Sequence, residues 1–175
     1  TASGNLKGKV KIDFETYVQR QYFEKILTAA NRRFLKLSDG KLKLKCRQLE
    51  DMGGQGHSGL ELNVYVMATG KERDVKTLSG GESFLASLSL ALGLSDVVQS
   101  QAGAVRMEAM FVDEGFGALD DETRELAVRV LHDLAGDERM VGIISHVNEL
   151  KAQIGKKLIV TKGEQGSRAA WSIED

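Results

Sequence analysis

The chain has 175 residues, long enough for one domain with its own hydrophobic core or for one lobe of a larger domain. Its 24 basic and 25 acidic side chains nearly cancel, so overall charge favours neither a nucleic acid nor a membrane surface as the partner. A single cysteine, Cys46, excludes a disulfide framework and predicts a reducing, cytoplasmic compartment. Because no apolar run approaches the roughly 20 residues of a membrane helix and no signal peptide opens the chain, we expect no membrane partner.

The first predicted elements are a helix and two strands. Residues 1–8 are small and polar, as in a linker or a cut end. Apolar residues then recur at helical spacing over 13–37, which predicts a long amphipathic helix. Alternation of polar and apolar residues over 41–48 and again over 60–67 predicts two half-exposed strands. Their glycine-rich link favours an antiparallel pair.

The link between these strands contains Gly54, Gly56 and Gly59 in the G-x-G-x-x-G spacing of dinucleotide-binding loops. That fingerprint requires a helix directly after it, so that a pyrophosphate meets the helix N-terminus. A strand pattern follows here, which favours a hairpin loop over a nucleotide site. We therefore predict that His57 is an exposed loop residue and that Cys46, in the first strand, is a small core residue.

The next segment, Thr77-Leu78-Ser79-Gly80-Gly81-Glu82, places small residues just before an apolar helical pattern. A helix N-terminus carries unpaired N–H groups and partial positive charge, and two glycines allow a phosphate to approach that backbone closely. The Ser79 hydroxyl can add one hydrogen bond. The alternative is a capping box, in which Ser79 and Glu82 satisfy each other's backbone N–H groups. This segment alone does not choose between the two interpretations.

Two short apolar segments follow, and each ends in side chains that can bind a metal ion or a phosphate. Residues 109–112 precede Asp113 and Glu114, and residues 140–144 lead to His146. Both segments are typical of buried parallel strands, whose carboxyl ends lie at the ligand-binding edge of an α/β sheet. If the strands are neighbours, these three polar side chains meet at one edge.

The remaining predicted elements are two helices and a closing hairpin, at residues 121–135, 147–154, 157–161 and 169–173. Asp120 is placed to cap the first of these helices, and Trp171 in the hairpin is expected to be a core residue. The order of elements predicts an α/β fold with a parallel-strand core, flanking helices and an antiparallel hairpin region.

The polar side chains at this predicted sheet edge suit a nucleotide-hydrolysing site. Asp113 is a suitable Mg²⁺ ligand because that ion prefers hard oxygen donors and keeps several waters. Glu114 can orient and deprotonate an attacking water, and His146 can hydrogen-bond a terminal phosphate. Each residue alone has a plainer explanation as a cap, a solvated charge or a loop histidine. Their order along the chain favours a shared site.

Four segments resemble the motifs of ABC-type ATPases: the signature at 78–82, Walker B at 110–114, the D-loop at 118–120 and the H-loop at 145–146. The spellings LSGGESFLASLSLAL, FVDEGFGALD and IISHVNELK are similar to the C-terminal ATPase lobe of SbcC-type subunits. These subunits are the SMC-like ATPases of bacterial SbcCD nucleases, which act in double-strand-break repair. The resemblance is close from Thr77 onward and loose before it.

The resemblance implies one lobe of a split ABC-type (P-loop NTPase) domain, whose N-terminal lobe lies beyond a long coiled coil. The chain contains no G-x-x-x-x-G-K-[ST] sequence, so this piece lacks the loop that cradles phosphates and is expected to be inactive alone. Three units are expected: 1–8 as a linker or cut end, 9–76 as a helix and strands near the coiled-coil base, and 77–175 as the ATPase core.

The resemblance also implies roles for the motif residues, with ATP and Mg²⁺ as cofactors. Asp113 would bind Mg²⁺, Glu114 would activate water, and His146 would contact the γ-phosphate in the same subunit. The residues implied to lie where the nucleotide of an opposite subunit docks are Leu78, Ser79, Gly80, Gly81, Glu82 and Asp120. Implied partners are the N-terminal lobe, a second copy joined through ATP, an SbcD-type nuclease subunit and DNA of the nucleoid.

The function implied by this resemblance is ATP-dependent regulation of a nuclease that processes DNA double-strand breaks. One alternative is an SMC-like chromosome-organising ATPase without a nuclease partner. Another is the nucleotide-binding subunit of an ABC transporter, although transporters usually continue the signature after Glu82 with glutamine and an arginine-rich helix.

Strand alternation puts Lys41, Lys43 and Lys45, here called the lysine stripe, on one outward face while Leu42 and Leu44 pack inward. Such a stripe suits a DNA phosphate backbone, which is bound through charge with little sequence information. The alternative is an edge strand whose lysines prevent mispairing. No aromatic residue interleaves the lysines, as a base-stacking platform would require.

Overall fold

The structure is a computed structural model that describes residues 14–47, 60–102, 108–135, 140–164 and 166–174. In these ranges the helices are α1 (Phe14–Leu37), α2 (Gly80–Ala102), α3 (Asp121–Ala135) and α4 (Asn148–Gln153). The strands are β1 (Leu42–Cys46), β2 (Leu62–Val66), β3 (Lys71–Asp74), β4 (Ala109–Asp113), β5 (Met140–Ile144), β6 (Lys156–Gly163) and β7 (Gly166–Ile173). Short 3₁₀ turns lie at Val75–Thr77 and Phe116–Ala118.

The helices α1 and α2 pack tightly against each other. A Cβ on Gly93 of α2 would lie 2.7 Å from the backbone nitrogen of Ala30, so only glycine fits there. An ion pair between Arg33 and Asp96, with an N–O distance of 2.6 Å, links the same two helices. These contacts join the long first helix to the helix that follows the signature segment.

Only part of the predicted apolar stripe of α1 is buried. Ala30 and Phe34 are fully enclosed, whereas Phe14 is 70% exposed and Tyr17 is 51% exposed. The helix predicted over 13–37 is confirmed. Its first turns lie outside the contact with α2 and the sheet, so their apolar side chains stay at the surface.

The first sheet is antiparallel, with strand order β1-β2-β3. Its β1–β2 pair, with Leu44 opposite Val64, confirms the predicted pairing. Leu42, Leu44 and Cys46 are buried against α1 and α2, which also confirms Cys46 as a core residue. Burial raises the pKa of its thiol. The strand β3 was not predicted, because Lys-Glu-Arg-Asp has no apolar alternation.

Side chains of α1 and of the residue directly after it satisfy the backbone of β1 at its free edge. The Asn31 amide donates to the Leu44 carbonyl at 2.9 Å, and the Leu44 N–H donates to the Asn31 Oδ1 at 2.8 Å. The Leu42 N–H similarly donates to the Ser38 hydroxyl at 3.2 Å. These contacts replace the hydrogen bonds of a further strand, so an edge that could pair with another chain is already covered.

The strands β4 and β5 form a parallel pair in which Asp113 lies opposite Ile144. The predicted parallel pairing is confirmed, but the predicted burial was wrong. Phe111 is 63% exposed and Met140 is 57% exposed. One face of the pair packs on the core through partly buried residues such as Val112, and no other described element covers the opposite face.

The chain closes with the antiparallel hairpin β6–β7, as predicted. Trp171 was predicted to be a core residue, and this was wrong, since the residue is 71% exposed. Its cross-strand partner Leu158 is 52% exposed. Besides the exposed face of β4–β5, the hairpin β6–β7 therefore has an apolar surface that no described element covers. Its two strands contact mainly each other.

From Gly80 to Ser100 the helix α2 is, by length and composition alone, long and apolar enough to cross a membrane, which the sequence analysis did not expect. Leu85, Leu88 and Leu92 of this helix are buried among other parts of the chain. That arrangement is typical of a core helix, which can have the same length and apolar composition as a membrane-spanning one.

Some of the predicted features fall on residues outside the described ranges. These are the linker at 1–8, the glycines of the G-x-G-x-x-G spacing and His57.

Candidate functional site

Glu114 and His146 come together at the carboxyl ends of β4 and β5. The His146 Nδ1 lies 3.1 Å from Glu114 Oε1 and 3.0 Å from Oε2. Glu114 adopts a left-handed backbone with φ of 59°, unusual for a residue with a side chain, and its N–H donates to the Ile144 carbonyl at 2.9 Å. Such backbone conformations persist only where the surrounding structure holds them, and they are found most often at functional sites. The strand pattern of the sequence predicted that these two side chains would share one sheet edge.

Asp113 ends β4, directly before Glu114 in the chain, and is exposed. Mg²⁺ commonly takes one or two protein carboxylates and fills its other positions with water and phosphate oxygens. Within the described ranges, no group of three or more His, Cys, Asp or Glu side chains converges as a complete metal site.

Gly115 turns the chain directly after Glu114 and brings it against α2. Its φ is 93°, and an added Cβ would lie 2.2 Å from a ring carbon of Phe84. The Phe84 ring also meets Phe116 edge to face, with centroids 5.0 Å apart. The first turns of α2 are thus in direct contact with the segment that follows Asp113 and Glu114.

Asp120 begins α3 as a helix cap, as predicted. Its Oδ1 accepts the Thr123 N–H at 2.8 Å, and this hydrogen bond lowers the pKa of the carboxyl. The buried Arg124 was not predicted; its guanidinium donates to the Leu119 carbonyl at 2.9 Å and to the Asp121 carboxylate at 2.8 Å. Arg124 therefore holds the turn that presents Asp120, a role that only the folded structure reveals.

The start of α2 forms the capping box that was one of the two interpretations of this segment. The Glu82 N–H donates to the Ser79 Oγ at 3.2 Å, and the Ser79 N–H donates to Glu82 Oε2 at 2.9 Å. Ser79 and Gly80 are nevertheless exposed. In this geometry the Ser79 oxygen accepts, so its O–H remains available as a donor. The capping box and a phosphate contact are compatible.

The signature residues lie against the D-loop. An added Cβ on Gly81 would be 2.9 Å from the Ala118 carbonyl oxygen, so a side chain there would displace backbone. Ala118 is two residues from Asp120, and Ser79, Gly80 and Asp120 are all exposed. Two of the segments that were predicted to face a second subunit, 78–82 and 118–120, are therefore close together at Gly81 and Ala118.

Arg73 of β3 contacts both sides of the signature segment, and this role was not predicted. Its guanidinium donates to the Thr77 carbonyl at 2.6 Å and approaches the Glu82 carboxylate at 3.3 Å. Burial raises the pKa of Glu82, but the hydrogen bonds from Ser79 and Arg73 outweigh it, so the net pKa is lowered. The position of Arg73 within the all-polar Lys-Glu-Arg-Asp segment gave no sequence signal for this contact.

The lysine stripe lies on the outer face of β1, as the alternation predicted. Lys45 pairs with Glu72 at 2.9 Å, and Lys41 pairs with Asp39 at 3.3 Å. Lys45 also lies over the ring of Tyr65, 4.4 Å from its centroid. Lys43 is exposed and has no ion pair among the described residues.

The chain is similar to known proteins over most of its length. The profile of the family described as SbcC/RAD50-like, Walker B motif, matches residues 55–133. The chain is 48% identical over 163 residues to the C subunit of nuclease SbcCD from Vibrio cholerae, an alignment that includes 93% of the chain. The chain belongs to the SbcC/RAD50-like family.

Relatives from other bacteria support the same family. The SbcC/RAD50-like chain is 45% identical to the SbcCD nuclease C subunit of Lactococcus lactis over 93% of its length, and 39% identical to that of Treponema pallidum over 95%. In each case the chain spans about 16% of the length of the curated relative.

Solved structures show the fold. A chain from work on the ATP-driven dimerization and DNA stimulated activation of SMC ATPases matches with a TM-score of 0.68 and 19% identity, covering 89% of this chain and 88% of that one. The Smc head domain of Pyrococcus furiosus with an extended coiled coil matches with a TM-score of 0.63 and 20% identity, covering 91% of this chain and 37% of that one. The SbcC/RAD50-like chain therefore has the ABC-type fold of SMC heads, which confirms the predicted fold class.

Proposed function

We propose that this chain is the C-terminal ATPase lobe of an SbcC-type protein. The complete protein would bind and hydrolyse ATP, dimerise on ATP, and regulate a nuclease that processes DNA double-strand breaks. The observation that supports this best is the contact between Glu114 and His146 at the carboxyl ends of two parallel strands, with Asp113 beside it. The three relatives described above, at 39–48% identity, carry the name of the SbcCD nuclease, which favours this function over a chromosome-organising or transporter ATPase.

The residues at this edge have complementary roles in the proposed hydrolysis. Glu114 orients an attacking water and accepts its proton. When both of its ring nitrogens carry protons, His146 donates through Nδ1 to the Glu114 carboxylate and can donate through Nε2 to the γ-phosphate of ATP. Mg²⁺ held by Asp113 would supply positive charge to the phosphate oxygens when it is bound.

We propose that Leu78, Ser79, Gly80, Gly81, Glu82 and Asp120 form the surface that meets the nucleotide of a second copy. The first N–H groups of α2 have no partners within the helix, and they carry its partial positive charge. Gly80 is exposed at this end of the helix, and the Ser79 hydroxyl is exposed beside it, so a phosphate can approach both. Gly81 lies close to Ala118, two residues before Asp120, and Asp120 is exposed.

A further lobe would complete the site, because the chain contains no phosphate-cradling G-x-x-x-x-G-K-[ST] loop. The uncovered apolar faces of β4–β5 and β6–β7 fit such a lobe, since Phe111 is 63% and Trp171 is 71% exposed. We propose that residues 77–175 form the ATPase core with the N-terminal lobe of the same protein, and that residues 9–76 lie near the base of a coiled coil.

The proposed partners include an SbcD-type nuclease subunit and the DNA of the bacterial nucleoid, which places the complete protein in the cytoplasm. For DNA, the lysine stripe is the candidate contact. The hydrogen bonds of Asn31 and Ser38 already cover the free edge of β1, so the lysines are not needed to protect it. They lie on the sheet face, where a phosphate backbone can approach.

The proposed function is tested by reconstitution. We expect no ATP hydrolysis from the purified chain and Mg²⁺-dependent hydrolysis after a separately produced N-terminal lobe is added. Robust ATPase activity of the chain alone would contradict the proposal. Within the reconstituted protein, Glu114→Gln should lower hydrolysis by ~10²-fold or more, in line with the loss of a general base, while ATP binding persists.

The dimer surface is tested separately with Ser79→Arg. A bulky cation at this position should abolish ATP-driven dimerisation, measured by sedimentation, with little change in nucleotide binding by the single protomer. If Ser79 acts only as a helix cap, the variant should lose roughly 1 kcal/mol of stability and still dimerise. Dimerisation that persists with a lowered melting temperature would contradict the proposed contact.

A further inference from the structure

We infer that Arg73 is a positioning residue that fixes the signature turn, residues 78–82, for contact with the nucleotide of a second copy. The inference rests on the proposed function of Ser79 and its neighbours. It concerns a residue outside every motif that the sequence resembles, on a strand that the sequence pattern did not reveal.

The Arg73 guanidinium holds the turn from both of its ends. Nη1 donates to the Thr77 carbonyl at 2.6 Å and lies 2.8 Å from the Thr77 hydroxyl, just before the turn. Nη2 approaches the Glu82 carboxylate at 3.3 Å, in the first turn of α2. Glu82 in turn accepts the Ser79 N–H at 2.9 Å. A single planar side chain therefore fixes the spacing between the residue before the turn and the carboxylate that orients Ser79.

The position of Arg73 is set by the sheet. In β3 it lies opposite Val64 of β2, which is fully buried in the core. The chain after β3 is also fixed, because the Thr77 hydroxyl donates to the Asp74 carbonyl at 2.6 Å and the Lys76 N–H donates to the Asp74 carboxylate at 2.9 Å. The guanidinium is thus attached to a rigid strand, and the turn it holds is exposed.

Arg73 also balances charge next to the proposed phosphate contact. Glu82 is a carboxylate beside Ser79, and its pKa is lowered overall, so it is ionised at neutral pH. A negative charge at this place would repel the γ-phosphate of a docking ATP. The Arg73 cation offsets that charge and leaves the Ser79 O–H and the glycine N–H groups unoccupied, so the turn stays ready to bind an anion.

The test uses the full-length protein that contains this chain, with the variants Arg73→Gln and Arg73→Lys. The control is Arg129→Gln, since Arg129 is exposed on α3 and has no ion pair among the described residues. We expect Arg73→Gln to raise the dissociation constant of the ATP-bound dimer about tenfold, because a charged donor to two partly exposed acceptors is lost. Nucleotide binding by the dilute monomer should stay within about twofold, a split that general destabilisation would not produce.

Arg73→Lys keeps the charge but cannot span both acceptors, so we expect it to restore dimerisation only in part. In a double-mutant cycle with Glu82→Gln, the double variant should lose less free energy of dimerisation than the two single variants lose together. The two side chains act through one contact, so their effects are not additive. Unchanged dimerisation in Arg73→Gln, or an equal loss of monomer nucleotide binding, would overturn the inference. Ser79→Arg in the same assay tests the proposed function itself, which fails if that variant also dimerises normally.

Discussion

Gly115→Ala should separate the catalytic segment from the signature helix. Gly115 follows the Walker B acids with a φ of 93°, and an added Cβ would lie 2.2 Å from the Phe84 ring on α2. The alanine therefore forces a movement of Phe84, which also packs edge to face on the buried Phe116. We expect both the stability of the fold and the ATP turnover of the reconstituted protein to fall.

The magnitude follows from two separate costs. An alanine in the left-handed region costs about 1–2 kcal/mol. Overpacking a filled site costs a further ~1–3 kcal/mol. Gly40 offers a matched control, since its φ is 69° but a Cβ there meets nothing within 4 Å. Gly40→Ala should therefore show the backbone cost alone, and Gly115→Ala should exceed it by the packing cost.

Chemical denaturation of both variants measures the free energy of unfolding, and ATP turnover of the reconstituted protein measures the functional effect. The control should retain turnover close to that of the unchanged protein. The reasoning would be refuted if Gly115→Ala and Gly40→Ala had equal free energies of unfolding and Gly115→Ala had normal turnover. The contact between Phe84 and Gly115 would then not couple α2 to the segment after Glu114.

Three further outcomes are expected. Asn31→Ala should lower the free energy of unfolding by about 2–4 kcal/mol in denaturant, because it leaves two buried backbone groups of Leu44 unpaired; a cost near zero would mean that water replaces the amide. The stabilising effect of Glu82 should be complete above its ordinary pKa of 4.5 and be lost as pH falls through its lowered folded value, so Glu82→Gln should flatten that part of a stability profile; an unchanged profile would contradict it. Changing all three residues of the lysine stripe to glutamine should weaken duplex DNA binding equally across sequences and reduce the salt slope by up to ~3, whereas an unchanged slope in the ATP-bound dimer would exclude the stripe as a DNA contact.

Periodicity predicted most elements because the local apolar pattern sets which face of a helix or strand can be buried. The helix over 13–37, the antiparallel pair β1–β2, the parallel pair β4–β5 and the closing hairpin were all found in this way. The strand β3 was missed, since it is held by pairing with β2 and has no apolar pattern of its own.

Burial was harder to predict than the elements themselves. Phe111 and Trp171 were expected inside and are exposed, because burial depends on which other surface covers a face. An apolar pattern shows that a strand needs a partner, and it does so equally well whether that partner lies in this chain or in another lobe.

The amino-acid sequence by itself determined which residue types carry the chemistry: the acids after β4, the histidine after β5 and the small residues before α2. Tertiary structure decided how they meet. The 3.1 Å contact between Glu114 and His146 depends on the register of two strands that are distant in the chain. The contact of Arg73 with Glu82 likewise depends on the pairing of β3 with β2. Local sequence sets which groups are available, but distances between remote groups arise only when packing and hydrogen bonding fix the backbone around them.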